Sequence, residues 1–325
     1  MISTDADYDI VIIGGASAGL TAAIYSSRQG MKTLVITKDI GGQALLTDEI
    51  QNYPGFLNIS GFDLMVKFQQ QAQTYGAEFL YDEVNSIQTR ENSFIIGTGG
   101  RELTAHSVIL AFGKTPRDLG VPGEERLKGK GISYCAICDG PLFRNKTVAV
   151  AGNGDHALQA ALYLSGVARK TYLVYRPKKL RTDDELANTV MGLPNVEVIP
   201  GSTVEEAVGE TKLSSVSVKT DAERELKTIE IQGLFVEMGY VAKTDFVKDL
   251  VRLNEQKEIV VKDNGETSMR GVFAAGDVTH VPYKQAVISA GQGATAALSA
   301  YNYVQKLKGK TAVKSDWRSI KPVNN

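Results

Sequence analysis

Two stretches of this chain have the same shape: a short apolar strand, a glycine-rich turn, and a helix rich in alanine. The first runs Tyr8-Asp-Ile-Val-Ile-Ile-Gly14-Gly-Ala-Ser-Ala-Gly19 into a helix over 20–29. The second runs Thr147-Val-Ala-Val-Ala-Gly152-Asn-Gly154-Asp-His-Ala157 into a helix over 158–165. Each helix stops near a glycine, Gly30 and Gly166, as helix C-termini favour. Each is followed by another apolar strand, over 32–37 and 170–175. A strand–helix–strand unit that occurs twice predicts an α/β chain with two Rossmann-like nucleotide-binding domains.

Punctuation sets the expected boundaries. Gly113-Lys-Thr-Pro116 closes an apolar strand over 107–112, and Gly233-Leu-Phe-Val-Glu-Met-Gly239 is a second buried strand ending in glycine. The chain then resumes with 259–262, the run Gly271-Val-Phe-Ala-Ala-Gly276-Asp277 and a helix over about 284–308. The second nucleotide fold therefore reads as inserted into the first. Residues 1–115 and 245–325 form one domain and 116–244 the other.

Charge narrows the partners. With 36 basic and 37 acidic residues, the chain has no electrostatic footprint for nucleic acid or an anionic membrane. No apolar run is long enough to span a bilayer. Asp5, Asp7 and Asp9 precede only a very short apolar run, unlike a signal peptide. The expected setting is cytoplasmic.

The only two cysteines, Cys135 and Cys138, lie in Gly131-Ile-Ser-Tyr-Cys-Ala-Ile-Cys-Asp-Gly140, just before the second nucleotide fold. Such a pair can cycle between dithiol and disulfide, since its sulfurs can come within bonding reach. Zinc would need two further ligands, and His106, His156 and His280 are scattered without ligand spacing. Asp139 is adjacent and can manage the protons released. Two buried structural thiols are the alternative reading.

In the first turn, backbone amides and the helix dipole suit a pyrophosphate. Ala16 replaces the middle glycine of the usual pattern, and only Asp39 is available as the acid after the second strand. A plain strand–turn–helix corner would read alike. Asp277, after a buried strand and a glycine, suits a sugar-like hydroxyl chain or a helix cap. The second turn is a fuller match, Gly152-x-Gly154-x-x-Ala157, with Arg176 and Arg181 placed to meet a 2′-phosphate.

With these residues in hand, the chain resembles the low-molecular-weight thioredoxin reductases over about residues 8–308. The resemblance rests on Cys135-Ala-Ile-Cys-Asp139, Gly41-Gly42-Gln43, Asn52-Tyr53-Pro54-Gly55, Ala274-Ala-Gly-Asp277-Val and Gln285-Ala286-Val287. It implies a homodimeric FAD enzyme that passes electrons from NADPH to the Cys135–Cys138 disulfide and on to thioredoxin or a similar dithiol protein. Gly14, Ser17, Ala18 and Gly19 would hold the FAD pyrophosphate, and Asp277 the ribityl chain. Gly42, Gln43, Asn52, Ala111, Gly113, Lys284, Gln285 and Ala286 would complete the flavin site. Gly152, Gly154, Asp155, Arg176 and Arg181 would bind the nicotinamide nucleotide. Cys138 would be the thiol nearer the flavin, and Asp139 the proton donor and acceptor.

Three departures fall on the donor side. The helix after the second turn carries Gln159 in place of the family's acid, the family's His-Arg-Arg reads Tyr175-Arg176-Pro177, and Lys284 replaces an arginine. Pro177 removes a backbone donor, and lysine lacks the guanidinium fork. Ferredoxin or a deazaflavin is therefore the alternative electron donor, and a redox-sensing flavoprotein without turnover the alternative function. Trp317, in the polar tail after Lys310, is expected to be a surface anchor rather than a flap over the flavin.

Overall fold

The computed structural model describes residues 6–47, 49–178, 185–221 and 226–310. The first leg runs β1 (Tyr8–Ile13), α1 (Ser17–Arg28), β2 (Thr33–Thr37), α2 (Gly61–Thr74), β3 (Glu78–Tyr81), β4 (Val84–Arg90), β5 (Ser93–Thr98) and β6 (Glu102–Leu110). The middle leg runs β7 (Thr115–Pro116), α3 (Glu124–Leu127), β8 (Ile132–Ser133), α4 (Ala136–Asp139), β9 (Thr147–Gly152), α5 (Gly154–Ser165) and β10 (Lys170–Tyr175). It continues through α6 (Glu185–Met191), β11 (Val196–Pro200), β12 (Ser202–Val208), β13 (Ser215–Thr220), β14 (Lys227–Glu230), β15 (Gly233–Glu237) and β16 (Tyr240–Val241). The last leg is β17 (Val272–Ala274) and α7 (Ala286–Leu307).

Contacts divide the chain into two compact units. One is drawn from residues up to 40, 65–113 and from 243 onward, the other from 41–64 and 114–242. The first unit holds a sheet ordered β3-β2-β1-β6-β5-β4, with β17 also pairing with β6. β1, β2, β3, β6 and β17 are mutually parallel where they pair. From Ile10 to Ile13 β1 is apolar and buried, because a parallel strand is covered on both faces. Ile10 and Ile12 enter the same core as Ala22 of α1, Phe273 of β17 and Ala296, Ala300 and Val304 of α7, all fully or almost fully buried.

The second unit repeats the scheme with a five-stranded parallel sheet, β11-β10-β9-β15-β8. Side chains alternate across a strand, and here the two faces go to different cores. Val148, Val150 and Phe235 pack with Leu158 and Leu164 of α5. Ala149, Ala151, Leu234 and Val236 pack with Val204, Val216, Val218 and Ile229 of the antiparallel β12-β13-β14 sheet. That second cover explains why Val148 to Ala151 of β9 and Leu234 to Val236 of β15 are apolar on both faces. The 114–242 part of this unit begins and ends on a two-stranded antiparallel ribbon, β7 with β16. The architecture is α/β with the second Rossmann-like fold inserted into the first. Among the described residues, no helix is long and apolar enough to cross a membrane.

Candidate functional site

Cys135 and Cys138 form a disulfide, with their Cα atoms 5.3 Å apart. Its position follows from the edge of the second sheet. The two residues of β8 are buried and pair with Leu234 and Phe235 of β15, so the cysteines begin at the end of a fixed strand. Tyr134, between strand and disulfide, is 4% exposed. Its single hydroxyl proton is shared between Asp118 Oδ1 at 2.9 Å and Glu124 Oε1 at 2.8 Å. Glu124 in turn accepts the N–H groups of Leu119 and Gly120 at 2.9 and 2.7 Å, tying down the loop that leads to the pair. Cys135 caps α4, its Sγ accepting the Cys138 N–H at 3.2 Å. Ile137, between the cysteines, is 63% exposed while Ala136 is buried, so one face of the turn is presented to solvent.

Asp139 closes the turn. It is 8% exposed. Its Oδ2 accepts from Ser133 Oγ at 2.6 Å and its Oδ1 from Thr47 Oγ1 at 3.3 Å. Burial pushes the carboxyl above its usual range, because a carboxylate loses its hydration there; the two hydroxyls pull the other way and do not win. Ser133 Oγ also accepts the Cys135 N–H at 3.1 Å, and the Asp139 N–H reaches Cys135 O at 3.1 Å. Acid and cysteine are thus joined through one serine. Neither Ser133 nor Thr47 stands out in the sequence. The serine is two residues before Cys135 and is open to being read as a local cap; Thr47 lies 92 positions from its partner, with no signal along the chain.

In the first unit, the residues expected to hold a dinucleotide converge. Gly14 has φ +115°, and a methyl group there would lie 2.3 Å from Ala111 O. At Gly19 a methyl group would lie 1.9 Å from Gly14 O. Only glycine allows this helix to sit so close to its strand. Ala16 sits at φ −116°, a conformation open to any residue, so its methyl costs the turn nothing. The start of α1 has no side-chain cap and no acid in its first turn, which leaves an electropositive helix end suited to a pyrophosphate. Ser17 Oγ donates to Ala286 O at 2.6 Å, joining this turn to the start of α7 beside Gln285. Asp277 Oδ1 accepts from Ser289 Oγ at 3.1 Å. Lys284 donates to the carbonyls of Asp277 and Thr279 and pairs with Glu258 at 3.3 Å. Ala18 and Ala111 are buried, and Gly113 lies just past the end of β6. The turn, the carboxylate and the bare helix end fit FAD.

Gly42, Gln43 and Asn52 belong to the second unit, where Gln43 Nε2 donates to Lys114 O at 2.9 Å. In that unit's nucleotide turn, Gly152 is buried against Glu237, whose carbonyl would lie 2.4 Å from a methyl there. Gly154 and Asp155 open α5 and are exposed. The start of α5 also lacks a side-chain cap. Arg176, exposed at the end of β10, lines a cavity of about 380 Å³ with Gly152, Val174, Ser202, Thr203 and Met238. These features fit a nicotinamide nucleotide. Arg181 and Trp317 lie outside the described residues. Among the described residues, no group of three or more metal-ligating side chains is assembled.

Fold and site together define a disulfide oxidoreductase built on two nucleotide folds. The family model for pyridine nucleotide-disulphide oxidoreductases matches residues 8–293. The thioredoxin reductase of Treponema pallidum is 40% identical over 306 residues, 94% of this chain and 99% of that protein. The thioredoxin reductase of Listeria innocua is 36% identical over 310 residues, 95% of this chain and 97% of that protein. The crystal structure of thioredoxin reductase from Streptococcus pyogenes matches with a TM-score of 0.89 and 34% identity, covering 92% of this chain and 98% of that one. The chain belongs to the pyridine nucleotide-disulphide oxidoreductase family. Pyridine nucleotide-disulphide oxidoreductases and thioredoxin reductases use FAD and NADPH.

Proposed function

We propose that this chain is a thioredoxin-disulfide reductase, the reaction being NADPH + H⁺ + oxidised thioredoxin → NADP⁺ + reduced thioredoxin. The observation that carries this reading is the Cys135–Cys138 disulfide joined through Ser133 to the buried Asp139. Bound FAD would supply the two-electron relay between the nicotinamide and the disulfide. The bare start of α1 binds its pyrophosphate, and Asp277 its ribityl chain. Gly152, Gly154, Asp155 and Arg176, with Arg181, bind NADPH. Gly42, Gln43, Asn52, Lys284, Gln285 and Ala286 serve the flavin site.

Reduction breaks the S–S bond, and a thiolate of the pair attacks the disulfide of the partner. Asp139, held by Ser133 and Thr47, delivers and removes the proton at the Cys138 sulfur. A carboxyl raised by burial is suited to that exchange because it holds its proton nearer to neutral pH. The exposed Ile137 gives a thioredoxin-like partner an apolar contact beside the sulfurs. In this reading residues 1–115 and 245–325 form the FAD domain and 116–244 the NADPH domain of a cytoplasmic homodimer.

The test is anaerobic mixing of flavin-loaded protein with NADPH, NADH and reduced ferredoxin in turn, followed by flavin absorbance and thioredoxin thiols. Fast bleaching with NADPH and thioredoxin reduction that is lost in Cys138→Ser are expected. Bleaching by ferredoxin alone would replace the donor. Reduced flavin without thioredoxin turnover would remove the activity.

A further inference from the structure

Lys284, which replaces the arginine of the family pattern, lacks the guanidinium fork. The first unit gives it a built socket instead. Its ammonium donates to Thr279 O at 2.6 Å and to Asp277 O at 3.3 Å, and pairs with Glu258 Oε1 at 3.3 Å. The lysine and glutamate side chains are 29% and 13% exposed, so the pair is largely withdrawn from water. Glu258 is itself held. Its Oε2 accepts from Asn254 Nδ2 at 2.7 Å, and its N–H donates to Asn254 Oδ1 at 2.8 Å. One carboxylate oxygen is thus fixed by the asparagine while the other faces the lysine. The backbone after Glu258 pairs with the same loop: the Ile259 N–H donates to Val278 O at 2.9 Å, and the His280 N–H to Ile259 O at 3.1 Å.

The two ends of that loop both serve the flavin site proposed above. Asp277 opens it, its Oδ1 accepting from Ser289 Oγ at 3.1 Å. Gln285 closes it, just before Ala286, whose carbonyl accepts from Ser17 Oγ at 2.6 Å. Lys284 lies at the far end and bonds to carbonyls at the near end, so it closes the loop on itself. An ammonium on a flexible four-carbon stem keeps such a direction only when its acceptors converge. We propose that Glu258 is a positioning residue for the FAD site and acts through Lys284. It draws the ammonium onto the carbonyls of Asp277 and Thr279, and so keeps the Asp277 carboxylate in register with the Gln285–Ala286 end. This rests on the reading of Asp277, Gln285 and Ala286 as FAD contacts.

The test follows FAD retention by full-length flavin-loaded protein on dilution, read by the return of free-flavin fluorescence. It compares the parent, Glu258→Gln, Lys284→Met and the double variant. Glu258→Gln keeps the volume and removes the charge. It is expected to weaken FAD binding about tenfold, the scale of one lost charge-assisted contact. Lys284→Met should weaken it at least as much. Adding Glu258→Gln to Lys284→Met should change binding by no more than about twofold, because the glutamate then has no ammonium to place. Glu258→Asp, whose shorter stem draws the carboxylate back from the lysine, should weaken binding in the same sense and provides the measurement if the glutamine variant does not accumulate folded. FAD retention equal to the parent's in the Glu258 variants, or a Glu258→Gln loss that persists on the Lys284→Met background, overturns the proposal; a merely structural glutamate would give the latter. A parent chain that binds no FAD overturns the flavin reading itself, and so separates the two failures.

Discussion

Replacing Asp139 with asparagine isolates the proton from the geometry. The side chain keeps its volume: the Ser133 hydroxyl, now 2.6 Å from Oδ2, can still donate to the amide oxygen, and the Thr47 hydroxyl oxygen, now 3.3 Å from Oδ1, can accept from the amide NH2 instead. What is lost is the group that exchanges a proton. General acid–base catalysis is worth roughly 10²–10⁴-fold, or ~3–5 kcal/mol of barrier at 1.36 kcal/mol per tenfold. The loss should be confined to the disulfide side. In stopped flow, flavin reduction by NADPH is expected to keep the parent rate, while thioredoxin reduction falls by that factor. Stability should move in the opposite direction. The Asp139 carboxyl is raised above 3.8, so the folded chain binds its proton more tightly than the unfolded chain. A group of that kind stabilises fully below the unfolded value, and its contribution is lost as pH rises through the folded value. The asparagine variant escapes that loss, so thermal melts at neutral pH should place it level with the parent or above it. Turnover within threefold of the parent, or equal loss in both half-reactions, would refute this role for Asp139.

Three further perturbations follow from the contacts. Ser133→Ala removes the shorter brace on Asp139 and leaves the partly buried Cys135 N–H without its acceptor; a loss of about 1–3 kcal/mol in chemical denaturation is expected, with reduced thioredoxin turnover. Gly19→Ala sets a methyl 1.9 Å from a backbone oxygen, so overpacking of about 1–3 kcal/mol and loss of copurifying FAD should appear in melts and absorbance spectra. Arg176→Ala removes the charge at the mouth of the second nucleotide cavity, and should raise the KM for NADPH roughly tenfold or more while leaving that for NADH unchanged, as a lost phosphate contact does.

Much of the fold was legible because it is written in short-range signals. The turns at Gly14 and Gly152 and the strand over 170–175 announce themselves by apolar runs and glycines, and α7 begins two residues from the expected start. The β12-β13-β14 sheet was not legible, since its strands mix valine, isoleucine and alanine with serine, threonine and charged residues and no glycine-rich turn and helix follow them. The cysteines and Asp139 were visible as neighbours. Their supports were not. Thr47 meets Asp139 only because the chain folds back across 92 positions. Ala16 looks like an intrusion on a phosphate turn, yet its dihedral shows that the backbone needs no glycine there.

The most direct test of the central claim counts electrons. Anaerobic titration of flavin-loaded protein should consume about four electrons per chain, two for the flavin and two for the Cys135–Cys138 disulfide, each a two-electron couple. The Cys138→Ser variant should consume about two and fail to reduce thioredoxin. If parent and variant take up the same number, the disulfide is no station on the electron path and the account is wrong.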